Sequence, residues 1–509
     1  MPSNAINGST ARTCMAAIAA SLVLLLFCFA AGAQNKTSTP GSAARIQVYE
    51  SSDELHETLH EKPSLAFTGA PGPNLTITVN DALRYQQIDG FGASLTDSSA
   101  WLLSRKLTLL QRRELLEMLF GRKKGIGLSI LRQPMGSSDF ALEDYSYDDL
   151  SVGEMDPELK HMSIDRDRAY IIPVLREILT VNPELKIIAS PWSPPGWMKS
   201  SHSMIGGTLL PSSYAPLASY FVQFVKLYEA AGVPIFAVTP QNEPLNIPEN
   251  YPGMGMKAEE QAVFIRENLG PAFQAAKLKT KILIFDHNWD LIAFPKTVLK
   301  DAEAAEFVAG TATHCYGGDP SAQTDLHDQF PGKEIWLTEC SGGNWQKGNL
   351  LVEQASLIIQ ATRNWGKSVV LWNLALDQLN GPHLGGCSDC RAVVTIDWSA
   401  SPAGVTPTVD FTALAHASKF VQPGAYRIAS SADAEAAIQQ VAFQNQDGSM
   451  VLLALNSGTA PVAFNIAWNG GFAAYVLSPG AVATFSWPPN SPKHNRRTSQ
   501  AGASLHDRL

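Results

Sequence analysis

Residues 214–243 read YAPLASYFVQFVKLYEAAGVPIFAVTPQNE. The first part, 214–231, repeats apolar side chains at three- and four-residue spacing, the pattern of a helix with one buried face. After a break at Gly232, residues 235–238 form a short continuous apolar run, as expected for a strand covered on both faces. The run ends in the polar pair Asn242 and Glu243. A helix followed by a fully buried strand with polar residues at its carboxyl end is one repeat of a parallel α/β fold.

The same unit recurs on both sides. Candidate strands fall at 87–90, 127–131, 186–189, 235–238, 281–285, 308–313, 334–337 and 368–371, with helical stretches at 107–120, 168–180, 214–231, 259–276 and 350–365 among them. Eight strands alternating with helices predict an α/β chain folded as a (β/α)₈ TIM barrel over residues 85–420. Alternating runs at 46–49 and 75–79, and short strands at 437–444, 450–456, 460–467 and 473–477 after a last helix at 412–420, have a different texture. They predict a β-sandwich side domain built from both chain ends, 45–84 and 421–487.

The chain has 509 residues, 45% hydrophobic and 17% charged, with 38 basic and 47 acidic side chains for a net charge of −9. That composition buries a large core, and the acidic balance repels phosphate backbones, so no nucleic-acid partner is expected. Met15 to Ala33 is an apolar run preceded by Arg12 and closing in Ala31-Gly32-Ala33, which reads as a signal peptide (1–33) followed by a linker (34–44). A retained anchor is the alternative, and a lipoprotein reading through Cys28 is disfavoured by the bulky Phe27 before it. The expectation is a secreted or periplasmic enzyme with a polar, basic, disordered tail at 488–509. Beyond the signal, Cys315 and Cys340 read as small packing residues, with Cys340 open to oxidation. Cys387 and Cys390 suit a short disulfide or, with His383, half of a zinc site.

In barrels of this kind the chemistry sits at the carboxyl ends of the strands. Read together, those ends supply Arg132, Trp192, Asn242, Glu243, Asp286, His287, His314, Tyr316, Glu339, Trp372 and Asn373. Two glutamates from strands four and seven face each other across the mouth. Paired carboxylates are what glycoside hydrolysis needs, one protonating the leaving oxygen and one meeting the anomeric carbon from the opposite face. Aromatic residues such as Trp192, Trp372 and Tyr316 offer flat faces to sugar C–H groups, while Asp139 and Asn242 can bond hydroxyls.

Six motifs in order carry a resemblance: DGFGASLTD from Asp89, LRQPMGSSDF from Leu131, ASPWSPPGW from Ala189, TPQNEP from Thr239, TEC from Thr338 and WNLAL from Trp372. Together they resemble glycoside hydrolase family 30, the glucosylceramidase (acid β-glucosidase) family. The resemblance implies a retaining hydrolase that needs no metal or cofactor. It matches Glu243 to the acid/base and Glu339 to the nucleophile. Asp139, Trp192, Asn242, Tyr316 and Trp372 fall at substrate-binding positions, with Arg132 and His314 in support. Arg132 and Tyr316 are expected to keep Glu339 ionised while Glu243 holds the proton.

Each assignment has a plainer rival. Strand-end tryptophans can be core, Arg132 a structural ion-pair partner, Asp139 a turn former, and His314 a buried hydrogen-bonding residue. Asp286 and His287 read equally as rim contacts or loop scaffolding. The loop from Asp377 to Arg391 departs from the animal lysosomal pattern and is expected at the rim, against whatever follows the first glucose. Two substrates stay open: a glucosylceramide, with contact to a lipid surface, or a β-1,6-glucan cleaved by an endo-glucanase of the same family. A carbohydrate-binding protein without catalysis is the remote third reading, and nothing in the sequence sets the oligomeric state.

Overall fold

The computed structural model describes residues 45–52, 57–431 and 438–489. The proposed signal segment with Cys14 and Cys28, the linker and nearly all of the tail lie outside them.

Eight parallel strands close a barrel: Gly90–Ser94, Ile130–Pro134, Lys186–Ser190, Ala237–Val238, Lys281–Asn288, Val308–His314, Glu334–Glu339 and Gly366–Leu371. Ile130, Ile188, Ala237, Leu283, Ala312, Trp336 and Val370, one from each of seven strands, pack into one cluster. Side chains from successive strands fill the interior of a barrel of this size, so it is a packed core and not a pore. In the first strand a Cβ on Gly92 would lie 1.7 Å from the Ile130 carbonyl oxygen, so the strand–strand approach there requires glycine.

The expected strands are present, but several are displaced. The first is Gly90–Ser94; residues near 87 instead end the long strand Leu75–Gln87 of the side domain. The second runs Ile130–Pro134, so Arg132 lies within it and not after it. The fifth, sixth and seventh strands extend through Asp286, His314 and Glu339. The second, fifth, sixth and seventh share one reason. Apolar runs stop where the barrel interior becomes a polar site, while the backbone ladder continues, so hydrophobicity alone ends each strand early. The helix expected at 259–276 is interrupted, with a π-helical turn at Ile265–Leu269 between Ala258–Phe264 and Gly270–Ala275.

A nine-stranded sheet forms the side domain. Its order is Gly471–Leu477, Val462–Trp468, Leu75–Gln87, Tyr426–Ser430, Ile438–Gln444, Met450–Asn456, Ala481–Trp487, Arg45–Ser52 and Glu57–Ala66. Leu75–Gln87 is thus threaded between carboxyl-terminal strands, parallel with Val462–Trp468 and antiparallel with Tyr426–Ser430, while Arg45–Ser52 pairs antiparallel with Ala481–Trp487 and leads to the edge strand Glu57–Ala66. Its faces enclose a separate core that includes Phe464, Trp468, Phe485 and Trp487. The strands Glu57–Ala66, Tyr426–Ser430 and Ala481–Trp487 carried no strong signal in the sequence.

Candidate active site

Arg132 is the anchor of the barrel mouth. Its guanidinium is fully buried, donates through Nη1 to Glu339 Oε2, and through Nη2 to Asn242 Oδ1 at 2.6 Å and Asp286 Oδ2 at 2.7 Å. Its carbon centre lies 4.7 Å from the Trp192 ring centroid. A buried cation is tolerable only when paired and hydrogen-bonded; two carboxylates, one amide and an aromatic face meet that demand.

Asp286 is the floor beneath it. Ser190 and Thr239 donate to its Oδ2 and Thr338 to its Oδ1, at 2.8, 2.8 and 2.7 Å, and His314 Nε2 lies 3.0 Å from Oδ1. Burial opposes its charge, but Arg132 and His314 hold the carboxyl well below the usual carboxylate range. Phe285 and Asp286 have φ of 78° and 61°, and Glu243, whose amide donates to the Asp286 carbonyl at 3.0 Å, has φ of 44°. Left-handed backbone at non-glycine residues is strained and is kept only where surroundings enforce it. Asp286 is therefore neither rim contact nor loop scaffolding; it ties five side chains together below the cavity.

The two glutamates take different partners. Tyr316 donates its hydroxyl to Glu339 Oε1 at 2.9 Å. Glu243 faces His314 Nδ1 at 3.1 Å and accepts from Asn246 Nδ2 at 2.8 Å. One ligand atom each from Glu243, His314 and Glu339 lies within 4.8 Å of the others. This trio has the spacing of metal ligands, but both His314 nitrogens already face carboxylates and Glu339 is engaged by Arg132, so an added cation would meet two existing ones.

Electrostatics distribute the protons. Burial disfavours a charge on His314, yet Glu339, Asp286 and Glu243 raise it to about 9, so it is a cation at neutral pH and both nitrogens donate. Burial also works against Glu243, but the hydrogen bond and charge of His314 bring that carboxyl down to about 2. Glu339 is raised by burial, and by Glu243, against the pull of His314, Arg132 and Tyr316. The ligand-free site thus departs from the expectation that Glu243 holds the proton, which sits on His314 instead. The contact that reverses it, His314 on Glu243, joins residues 71 apart in sequence.

Above these groups is a cavity of about 260 Å³ lined by Asp139, Trp192, Asn242, Glu243, Tyr251, Tyr316, Glu339, Trp345, Trp372, Gly386, Cys387 and Cys390. Trp192 and Trp372 stack at 5.1 Å between centroids and are almost fully buried, whereas Tyr316 and Trp345 are about half exposed. Asp139 is pushed up to about 8, first by burial and then by the Glu339 charge. Asp139, Trp192, Asn242, Glu243, Tyr316, Glu339 and Trp372 therefore line one cavity, with Arg132 and His314 bonded to its glutamates, whereas Asn373 is buried and accepts from Thr96. Asn246, Tyr251 and Trp345 were not anticipated, since loop residues carry no periodic signal.

Both pairs of downstream cysteines are disulfides, Cys315–Cys340 and Cys387–Cys390. The first corrects their reading as packing residues: each follows the last residue of a neighbouring barrel strand, and their Cα atoms are 5.3 Å apart. The second settles the choice between disulfide and zinc for Cys387 and Cys390. The loop carrying it does more than edge the rim. Leu384 donates its amide to the Asp139 carbonyl at 2.8 Å, the Cys387 amide bonds Asp139 itself, and Cys390 packs with Phe140, Trp192 and Trp372.

Residues 88–421 match the glycosyl hydrolase family 30 TIM-barrel domain, and 424–485 the family's beta sandwich domain. An endo-1,6-beta-D-glucanase of Neurospora crassa is 35% identical over 448 residues, covering 82% of this chain and 90% of the relative. The lysosomal acid glucosylceramidase of Mus musculus is 29% identical over 444 residues, covering 82% and 84%. A solved endo-beta1,6-glucanase superposes with a TM-score of 0.81 at 33% identity, covering 87% of this chain and 99% of that one. With barrel, sandwich and paired carboxylates in place, the chain belongs to glycosyl hydrolase family 30 and is a glycosidase.

Proposed function

We propose that the protein is a retaining β-glycosidase acting on β-1,6-linked glucan, with Glu339 as nucleophile and Glu243 as acid/base. The observation that carries the mechanism is the approach of Glu243 and Glu339, oxygen to oxygen within 4.8 Å. Retaining glycosidases hold their carboxyl groups about 5–5.5 Å apart and inverting ones about 6.5–9.5 Å, to admit a water. A glucose stacked along Trp192 and Trp372 would present its anomeric carbon between the two carboxylates, with Asp139 and Asn242 toward its hydroxyls. Glu339 attacks that carbon as the glycosidic bond breaks, and Glu243 delivers a proton to the departing oxygen. His314 supplies that proton through its Nδ1 contact, passing from imidazolium to neutral imidazole. The covalent intermediate removes the charge of Glu339, and Glu243 then takes a proton from the attacking water, which displaces Glu339.

Preference for β-1,6-glucan over glucosylceramide, the first expectation, rests on the higher identity to the endo-1,6-beta-D-glucanase than to the mouse glucosylceramidase. It is supported by the half-exposed Tyr316 and Trp345 at the mouth, flat faces suited to a following sugar. A glycolipid reading draws on Leu245, Ile247, Leu379 and Leu384, all well exposed in loops that follow barrel strands four and eight. An assay offering pustulan and glucosylceramide side by side decides between them, and proton NMR of the first product tests retention. Release of glucose from glucosylceramide with no cleavage of pustulan overturns the substrate reading; an initial α-product overturns the mechanism. The two disulfides support an exported protein, since such bonds persist in oxidising compartments.

A further inference from the structure

Where the sixth and seventh barrel strands end, the chain places His314, Cys315 and Tyr316 beside Glu339 and Cys340. His314 and Glu339 are the last paired residues of that ladder, and the register is already irregular between Leu337 and Glu339. Tyr316 lies past it, followed by Gly317 and by Gly318 at φ 86°; its amide is bonded to Asn288 Oδ1 at 3.2 Å. Little in the ladder therefore holds the Tyr316 hydroxyl at 2.9 Å from Glu339. The Cys315–Cys340 bond joins the residue before Tyr316 to the residue after Glu339. The Cys340 carbonyl also accepts the Trp372 amide at 2.7 Å, so the same covalent link reaches the Trp192–Trp372 stack.

We infer that the Cys315–Cys340 disulfide is a positioning device of the active site, clamping two strand ends so that Tyr316 stays on the Glu339 carboxylate and Trp372 keeps its place. This rests on Glu339 being the nucleophile. The bond is a cystine of two neighbouring strands, and a dithiol reductant opens it to two thiols while itself closing to a disulfide. Cys315 is partly exposed and Cys340 is buried.

The test uses the full chain in a C387S/C390S background, whose own kinetics are the reference, so that only one disulfide remains. Peptide mapping without reduction must find the cross-linked 315–340 peptide pair; free thiols at both positions overturn the inference. Removing the bond by C315S/C340S is expected to lower kcat toward pustulan by about 10²-fold, the cost of roughly 1 Å of misplacement, with KM changed less. The acidic limb of kcat/KM should move to higher pH, because Glu339 loses a hydrogen bond that favours its charged form. Y316F should shift the limb similarly, and combining it with C315S/C340S should add little. A purely structural bond would lower the melting temperature and leave limb and kcat in place, which overturns the inference. Should the double variant not fold, dithiothreitol applied to the folded background enzyme gives the same readout. E339Q distinguishes the two levels: if it retains turnover the nucleophile reading fails, whereas an inactive E339Q with an unaffected C315S/C340S rejects the clamp alone.

Discussion

At the amino-terminal end of the barrel, Lys186, Lys281 and Lys367 share Asp89 and Glu334 beside Trp336. The Trp336 indole donates to Asp89 at 2.7 Å, and Lys281 and Lys367 lie over its ring. At the carboxyl-terminal end, Arg132 and His314 share Asp286, Glu243 and Glu339, with Asp139 nearby. Among the described residues, one end sets three cations against two carboxylates and the other sets two cations against four acids. In the first arrangement burial works against the charge of Glu334, but Lys367 and Lys281 hold that carboxyl low. In the second, burial and then the Glu339 charge push Asp139 up to about 8, so a proton resides among its acids at neutral pH. A surplus of carboxylates over cations, walled by aromatics, is what would let the proposed nucleophile and proton donor coexist. The opposite surplus makes a plug.

The largest test of that contrast removes a member of the surplus. Glu339→Gln should cut hydrolysis by roughly 10⁴-fold or more, as loss of a nucleophile does elsewhere, measured by single-turnover release of reducing sugar. Glu243→Gln should cost about 10²–10⁴-fold on glucan, and much less on an aryl β-glucoside whose leaving group needs no proton; equal losses on both would remove Glu243 from the acid role. Asp286→Asn leaves Arg132 short of one carboxylate and should destabilise by about 3–5 kcal/mol, read from urea midpoints.

The pH behaviour sharpens the comparison further. His314 is raised from 6.5 to about 9, so its contribution to stability is fully present below about pH 6.5 and is lost as pH rises through about 9. The His314→Asn variant should be less stable at pH 6, with the gap to the unchanged protein closing above pH 9. The smallest effect belongs to the plug. Glu334→Gln breaks pairs whose carboxylate is 40% exposed, so it should cost under about 1 kcal/mol and leave kcat on pustulan unchanged.

Much of the site was legible because strand ends point to one mouth once a barrel is recognised. Glu243, Asn242, Trp192 and Trp372 each follow an apolar run and needed only that geometry. Arg132 was placed one step too late, because an arginine inside a strand looks like the end of it. Only packing shows that two carboxylates and a tryptophan face receive it. The His314–Glu243 contact and the Cys315–Cys340 bond join different strands, and neither spacing nor composition signals such pairings.

Local pattern therefore determined the fold class, the run of strands and helices, and which residues stand at the mouth, since burial on two faces and helical periodicity are written in neighbouring residues. The tertiary structure alone decided which carboxylate meets which cation, where the shared proton is held, and which cysteines are joined. Those depend on distances of a few ångströms between residues far apart in the chain, where Coulomb energies and hydrogen bonds change steeply with separation.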